Sequence, residues 1–384
     1  MQIADLGVVI TGKTPTTKKP ENWNGDVPFI TPGDLQGTKN ITTTSRYVSD
    51  EGLRSVKGAR LPKNSICVSC IGVIGYVGKT TRECITNQQI NSIIVNEKHN
   101  SDYVYYLMKS LWPIFKNFEG QSTTLSILNK GHFSEIEISE RTREEEDRIA
   151  NILNSLDAKI ELNNAINQNL SEQIQTIYDE LIEKIDADPI EISSVIDVRD
   201  GTHDSPKAQE TGLPLVTSKH LLPYGVDLSS PNKITKDDYD KINERSRVDT
   251  FDILLSMIGT VGIISLVVDS PVEFAIKNVG LFKTSTTPEL YPFVLAYLKS
   301  KSTMQHIEKV LAGSTQKYVS LGELRKLPIA LPNSQQLIDF NAVVKPIIEQ
   351  IIILTRENKQ LTVLRDSLLP KLMSGELDVS EIDV

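Results

Sequence analysis

The 384-residue chain is poor in the features that mark several protein classes. Its three cysteines, Cys67, Cys70 and Cys84, are an odd number in a long chain and no disulfide framework. Cys67-x-x-Cys70 lies in the apolar run ICVSCIGVIG with no second Cys or His pair at zinc spacing, so buried thiols in a strand are expected, not a metal site. The five histidines, His99, His132, His203, His220 and His306, are scattered without paired spacing. No apolar run approaches the ~18 residues that cross a bilayer, and MQIADLGVVI lacks the basic start of a signal peptide. A soluble, cytoplasmic chain with no membrane partner is expected. Positive charge is also short, with 41 Lys and Arg against 50 Asp and Glu and a net charge of −9, which as an average speaks against a nucleic-acid partner. The 39% hydrophobic and 24% charged residues that remain are the balance of a folded protein, and the length suggests two or three domains of ~150 residues.

The most informative feature is an internal repeat. Ser69-Cys-Ile-Gly72-Val-Ile-Gly75 returns 187 positions later as Ser256-Met-Ile-Gly259-Thr-Val-Gly262, and Val27-Pro28-Phe-Ile-Thr31 returns as Leu213-Pro214-Leu-Val-Thr217. Gly120-Gln-Ser122-Thr123 is echoed by Gly313-Ser314-Thr315. Each half opens with short β-branched runs broken by Gly, Pro, Asn and Asp, with one helical stretch, at 102–116 or 288–311. That composition predicts a compact mixed α/β domain, placed at 1–140 and again at 187–331.

The rest of each half is of another kind. Ile149, Leu153, Leu156, Ile160, Asn163, Asn167, Leu170, Ile174, Ile177 and Leu181 keep a strict 4,3 spacing, the seam of a coiled coil. Phe340, Val344, Ile347, Ile351, Leu354, Asn358, Leu361, Arg365, Leu368 and Leu372 stand 191 positions later. Neither stripe can be hidden by its own helix, so the helices, at 141–186 and 332–384, are expected to pair, antiparallel, as the spacer between the two domains. Asn163, Asn167 and Asn358 penalise slipped registers or else mark a splayed, solvated stretch. Pro346 is expected to kink the second helix or divide it, and Pro370 to do the same near its end.

Catalytic patterns are weak. Gly7-Val-Val-Ile-Thr-Gly12-Lys13-Thr14 matches the phosphate-binding GxxxxGK[ST] string, but Pro15 and Pro20 follow where a helix N-terminus should stand. Asp269 and Glu273-Phe-Ala-Ile-Lys277 are misspaced for a metal-dependent nuclease, and no Asn/Asp-Pro-Pro-aromatic tetrapeptide of a base-amine methyltransferase occurs. A non-enzyme is expected, with no cofactor of its own. The rival readings are a coiled-coil protein adaptor without DNA binding and an ATPase built on Lys13.

Gly12-Lys-Thr-Pro15, then Lys18-Lys-Pro-Glu-Asn-Trp23-Asn-Gly25-Asp-Val-Pro28-Phe-Ile-Thr-Pro-Gly-Asp34-Leu35, resembles the opening of a target recognition domain in the specificity subunits of type I restriction-modification systems. Leu61-Pro-Lys-Asn64, the Ile-Gly-x-x-Gly strand, Thr86-Asn87-Gln88, the Ser122-Thr123 turn and the tail Leu368-Leu-Pro-Lys-Leu-Met-Ser-Gly375-Glu continue the pattern in order. The second half departs from it, with Ala275-Ile-Lys-Asn278 for Asn87-Gln-Gln-Ile-Asn91 and no Trp-Asn-Gly segment. The resemblance implies a non-catalytic subunit that reads double-stranded DNA. It also implies partners: two methyltransferase subunits, which use S-adenosylmethionine, and restriction subunits, which use ATP and magnesium.

Candidate DNA contacts follow from residue chemistry. Lys13, Thr14, Thr16, Thr17, Lys18 and Lys19 set cations and hydroxyls on a Pro-stiffened loop suited to phosphate oxygens, or form a solvated turn. Ser69 with Gly72, and Ser256 with Gly259, allow close backbone approach or simply tight strand packing. Asn87 and Gln88 suit adenine edges or bond within a turn. The exposed helix faces and the turn at Gly120–Thr124 are where methyltransferase subunits are expected. The net charge has a location: residues 136–190 carry 5 basic and 14 acidic groups, whereas residues 1–135 carry 15 and 11. An acidic helix is repelled by phosphate, while the first domain is mildly basic.

Overall fold

The computed structural model describes residues 1–37, 39–118, 127–313 and 316–379. They divide into two compact units, Met1–Ile160 with Gln360–Val384, and Glu161–Lys359. Each is mixed α/β and takes part of both long helices.

In the first unit, Gly7–Thr11, Ile90–Val95, Ile66–Ser69, Val77–Thr80 and Asn40–Ile41 form a five-stranded sheet in that spatial order. A second sheet sets Arg46–Val48, Trp23–Ile30, Cys84–Thr86 and Arg60–Leu61 side by side. Ile66–Ser69 is buried at every residue, as a central strand covered on both faces must be. Against this sheet lies the helix Ser101–Ser110, capped by the Asn100 side chain and burying Tyr103 and Tyr106. A short helix, Trp112–Lys116, follows separately because Pro113 cannot donate a continuing backbone bond. The three thiols are buried, and burial pushes Cys67 and Cys70 up to about 12.

The second unit repeats the plan. Val198–Asp200, Val279–Phe282, Ile253–Ser256 and Ile264–Leu266 make one sheet, and Asn232–Ile234, Leu213–Val216 and Ala275–Ile276 another. The single stretch expected at 288–311 is two helices, Tyr291–Lys299 and Lys301–Lys309, because Ser300 stops the first and its hydroxyl caps the second. Further helices at Asp50–Ser55 and Lys236–Ser246 stand beside the second sheets and carry side chains that matter below.

Both long helices, Arg143–Ile182 and Ser334–Ser374, begin with reciprocal caps. The Thr142 hydroxyl accepts from the Glu145 N–H while Glu145 accepts from the Thr142 N–H; Asn333 and Gln336 do the same for the second helix. The break expected at Pro346 is absent, since Ser334–Ser374 is one helix that also runs through Pro370. Pro346 and Ala342, whose carbonyl would have met the missing donor, are both exposed, so water can satisfy it.

In each unit the helical segments run antiparallel. In the first, Ile149 and Leu153 are buried in one cluster with Leu369 and Leu372, and Arg365 donates to Asp157 at 2.7 Å. The second donor to that carboxylate is the Tyr106 hydroxyl, at 2.5 Å. Leu156 and Ile160 are only half-buried there. In the second unit Ile174, Tyr178 and Leu181 share a core with Phe340, Val344, Ile348 and Ile351, while Ile347 and Leu170 lie at its margin. Leu354 is buried, and Leu361 of the first unit is half-buried. The buried stripe drifts off strict 4,3 spacing because a straight helix turns every 3.6 residues.

Asn163 is fully buried; its amide donates to Asn358 at 2.9 Å and to Glu357 at 2.7 Å. Asn167 donates to Thr355 at 3.4 Å. These amides meet each other in one register only. Asn163→Leu is therefore expected to cost about 1–3 kcal/mol by stranding the Asn358 carbonyl oxygen, and Asn163→Leu/Asn358→Leu to recover most of it. Thermal unfolding of the two variants checks this; a double variant no better than the single one contradicts a paired role.

Candidate nucleic-acid interface

The strand Gly7–Thr11 ends on Gly12, whose N–H donates to the Ile90 carbonyl at 3.0 Å. A Cβ there would lie 2.1 Å from the Asn87 carbonyl oxygen, so only glycine lets the two backbones meet. The chain then turns outward, and the Thr14 hydroxyl donates to the Gln88 side-chain oxygen at 2.6 Å. Thr16 is pinned through its carbonyl, which accepts from the Asn22 amide at 3.1 Å and the Trp23 indole at 3.3 Å. Lys13, Thr17, Lys18 and Lys19 are exposed. Across a cleft of about 750 Å³, Arg54 and Lys57 face Lys13 from the end of the helix Asp50–Ser55. Neither these three cations nor Lys18 and Lys19 have an ion-pair partner within 4 Å among the described residues. Unneutralised cations gathered around one cleft suit an anionic ligand.

Other candidates fall differently. Asn87 is 9% exposed and its amide is spent on Gln89, whereas Gln88 is exposed and its side-chain oxygen accepts from Thr14. Ser69 and Ser256 are buried, their hydroxyls accepting from the Tyr76 and Ile263 N–H groups. Gly72 and Gly259 are exposed at φ of 80° and 79°, the conformation that turns each loop back. Glu119–Ser126, which holds the Gly120–Thr124 turn, and Ser314-Thr315 lie outside the described residues. No helix begins at Gly12–Thr14, so the dipole that a phosphate-binding loop needs is absent from the Lys13 segment.

The second unit builds the same cleft from other residues. Gly201 donates to the Val279 carbonyl at 2.9 Å, and a Cβ on it would lie 2.3 Å from the Ile276 carbonyl oxygen. Two residues on, His203 bonds the Asn278 side chain at 2.8 Å, where Thr14 bonds Gln88. Lys241 and Arg245, on the helix Lys236–Ser246, stand where Arg54 and Lys57 stand in the first unit. Arg54, Lys57, Lys241 and Arg245 carry no motif: Arg54 ends the helix Asp50–Ser55 and Lys57 lies in the turn after it.

Each unit therefore carries one such cleft, and the two clefts share a backbone scaffold while presenting different side chains. Residues 1–172 match the family described as type I restriction modification DNA specificity domain. Over 418 aligned residues, 99% of this chain and 94% of the relative, the chain is 28% identical to the type I restriction enzyme MjaIX specificity subunit of Methanocaldococcus jannaschii. Over 144 residues, 37% of this chain and 31% of the relative, it is 37% identical to the type I restriction enzyme HindI specificity subunit of Haemophilus influenzae. The fold is shared with the crystal structure of a type I restriction-modification S subunit from M. genitalium, with a TM-score of 0.54, 17% identity and coverage of 97% of this chain and 95% of that one. Residues 1–172 thus carry the match to the specificity-domain family, and over almost its whole length the chain is similar to a type I restriction enzyme specificity subunit. Among the described residues no metal-binding cluster occurs and no helix is long and apolar enough to cross a membrane.

Behind the second cleft the two units differ in a titratable group. Where Thr31 and Asp34 close a reciprocal cap, the second unit has Thr217 and His220. The Thr217 N–H donates to His220 Nδ1 at 2.9 Å, which places the ring hydrogen on Nε2, buried without a partner. Burial, helped by Lys219 and opposed by Asp227, holds the imidazole below its usual 6.5. A depressed folded value means stability is complete above ~6.5 and is lost as pH falls from there through the folded value. Unfolding free energies from denaturant titration are expected to drop on that descent, by up to about 1.4 kcal/mol per pH unit, and to do so less in His220→Asn, whose oxygen can still accept from Thr217. Equal pH dependence in the two proteins contradicts this.

Proposed function

We propose that this chain is the non-catalytic DNA-reading subunit of a type I restriction-modification complex. Each unit reads one half of a bipartite target through its cleft, and the paired helices act as the ruler for an unread gap. Two methyltransferase subunits carrying S-adenosylmethionine, and restriction subunits using ATP and magnesium, supply the chemistry. The observation that carries this reading is the duplication of one cleft in different residues: Lys13, Thr14 and Gln88 in one copy, Thr202, His203 and Asn278 in the other. A protein adaptor has no need of two matched clefts lined by exposed cations.

The salt dependence of duplex binding by the chain together with its methyltransferase subunits tests the reading. Lys13→Ala, Arg54→Ala and Lys57→Ala are each expected to weaken binding on all sequences and to lower the slope of log affinity against log salt by about 0.9 if each meets one phosphate. Absence of sequence-selective binding with the partners present overturns it.

A further inference from the structure

The two clefts differ in the sign of what lines them. The first holds Lys13, Arg54 and Lys57 and no carboxylate. The second, about 300 Å³, holds Lys241 and Arg245 together with Asp204, and Asp200 is bonded to Arg245. Asp200 is 5% exposed and occupied: it accepts from Arg245 at 3.0 Å and bonds His203 Nε2 at 2.9 Å. Arg245 is held in place through Nη2 alone, by the Asp200 carboxylate and by the Asp200 and Gly201 carbonyls at 3.3 and 3.2 Å. Its Nε and Nη1 donors have no partner among the described residues, and Lys241 is exposed beside it. Asp204 is exposed, and its carboxylate has no ion-pair partner within 4 Å among the described residues.

A free carboxylate is repelled by phosphate, so in a cleft that faces DNA it weakens binding unless it meets a hydrogen-bond donor. The donors that base pairs present in the major groove are the amino groups of cytosine and adenine. Fixed cationic donors select the opposite pattern, the N7 and O6 acceptors of guanine. Cationic donors beside one carboxylate match two acceptors beside one amino group, which is the edge of a G·C pair. Resting on the DNA-reading function above, we infer that the cleft of the second unit reads a G·C pair. Arg245 and Lys241 meet guanine, and Asp204 accepts from the cytosine amino group. The first cleft, with no carboxylate and with Gln88 as its only amide, has no counterpart to this contact.

The test is selection from a duplex library randomised in two blocks, using the full chain with the methyltransferase subunits that purify with it, at one salt concentration. The wild-type complex is expected to select a G·C pair at one position of one half. Asp204→Asn, an exposed change without packing cost, reduces that preference about tenfold or more and leaves the other half unchanged. Arg245→Gln weakens the same position. The inference is overturned if no G·C position responds to either variant, or if both variants weaken all sequences equally, as phosphate contacts would. A wild-type complex that selects no sequence in either half overturns the DNA-reading function itself, a separate outcome.

Discussion

Each long helix carries an apolar stripe that it cannot bury alone, and both units are assembled around that constraint. In the first, Ile149 and Leu153 complete a core with Leu369 and Leu372, segments more than 200 residues apart. In the second, Ile174 and Tyr178 do so with Phe340 and Val344. Removal of either helix would leave both cores open, and the first unit, Met1–Ile160 with Gln360–Val384, is not a contiguous piece of chain. The helix contacts differ between the units: the first holds an Asp157–Arg365 pair bonded to Tyr106, the second the Asn163–Asn358 amides beside apolar contacts. Breaking such a buried pair costs far more than replacing it whole, so its effect is on register more than on net stability.

On that frame the clefts are two solutions to one geometric problem. Gly12 and Gly201 bring a strand end against a turn, and a side chain two residues later ties the loop to that turn. The scaffold is the same in both, while the groups it presents differ, Thr against His and Gln against Asn. A shared scaffold with different presented groups is what two readers of different half-sequences require.

Much of the fold was legible because periodicity is a local signal. The repeat and the 4,3 stripe identified two mixed α/β units and two long helices. The shift of burial from Ile347 to Ile348 and from Leu156 to Asp157 was not legible, because it depends on the accumulated turn of a straight helix and on which domain face lies opposite. Helix continuity through Pro346 depends on the exposure of one carbonyl, which no residue pattern encodes. In the first cleft, Lys13, Thr14 and Gln88 were visible as residue types near one motif. Arg54 and Lys57 were not, since they reach the cleft from a helix some 40 residues on, and Asn87 is a turn former because Gln89 follows it. In the second cleft the motif itself has changed, so only the structure aligns His203 with Thr14.

On the proposed function, the long helices set the length of the unread gap in the DNA target. Inserting one heptad at matched levels of both helices, next to Asn163 and Asn358, adds about 10 Å at ~1.5 Å per residue, or about three base pairs at ~3.4 Å each. The selected DNA target is then expected to keep both half-sequences while its unread gap grows by about three base pairs. An unchanged gap, or a changed half-sequence, would contradict the account.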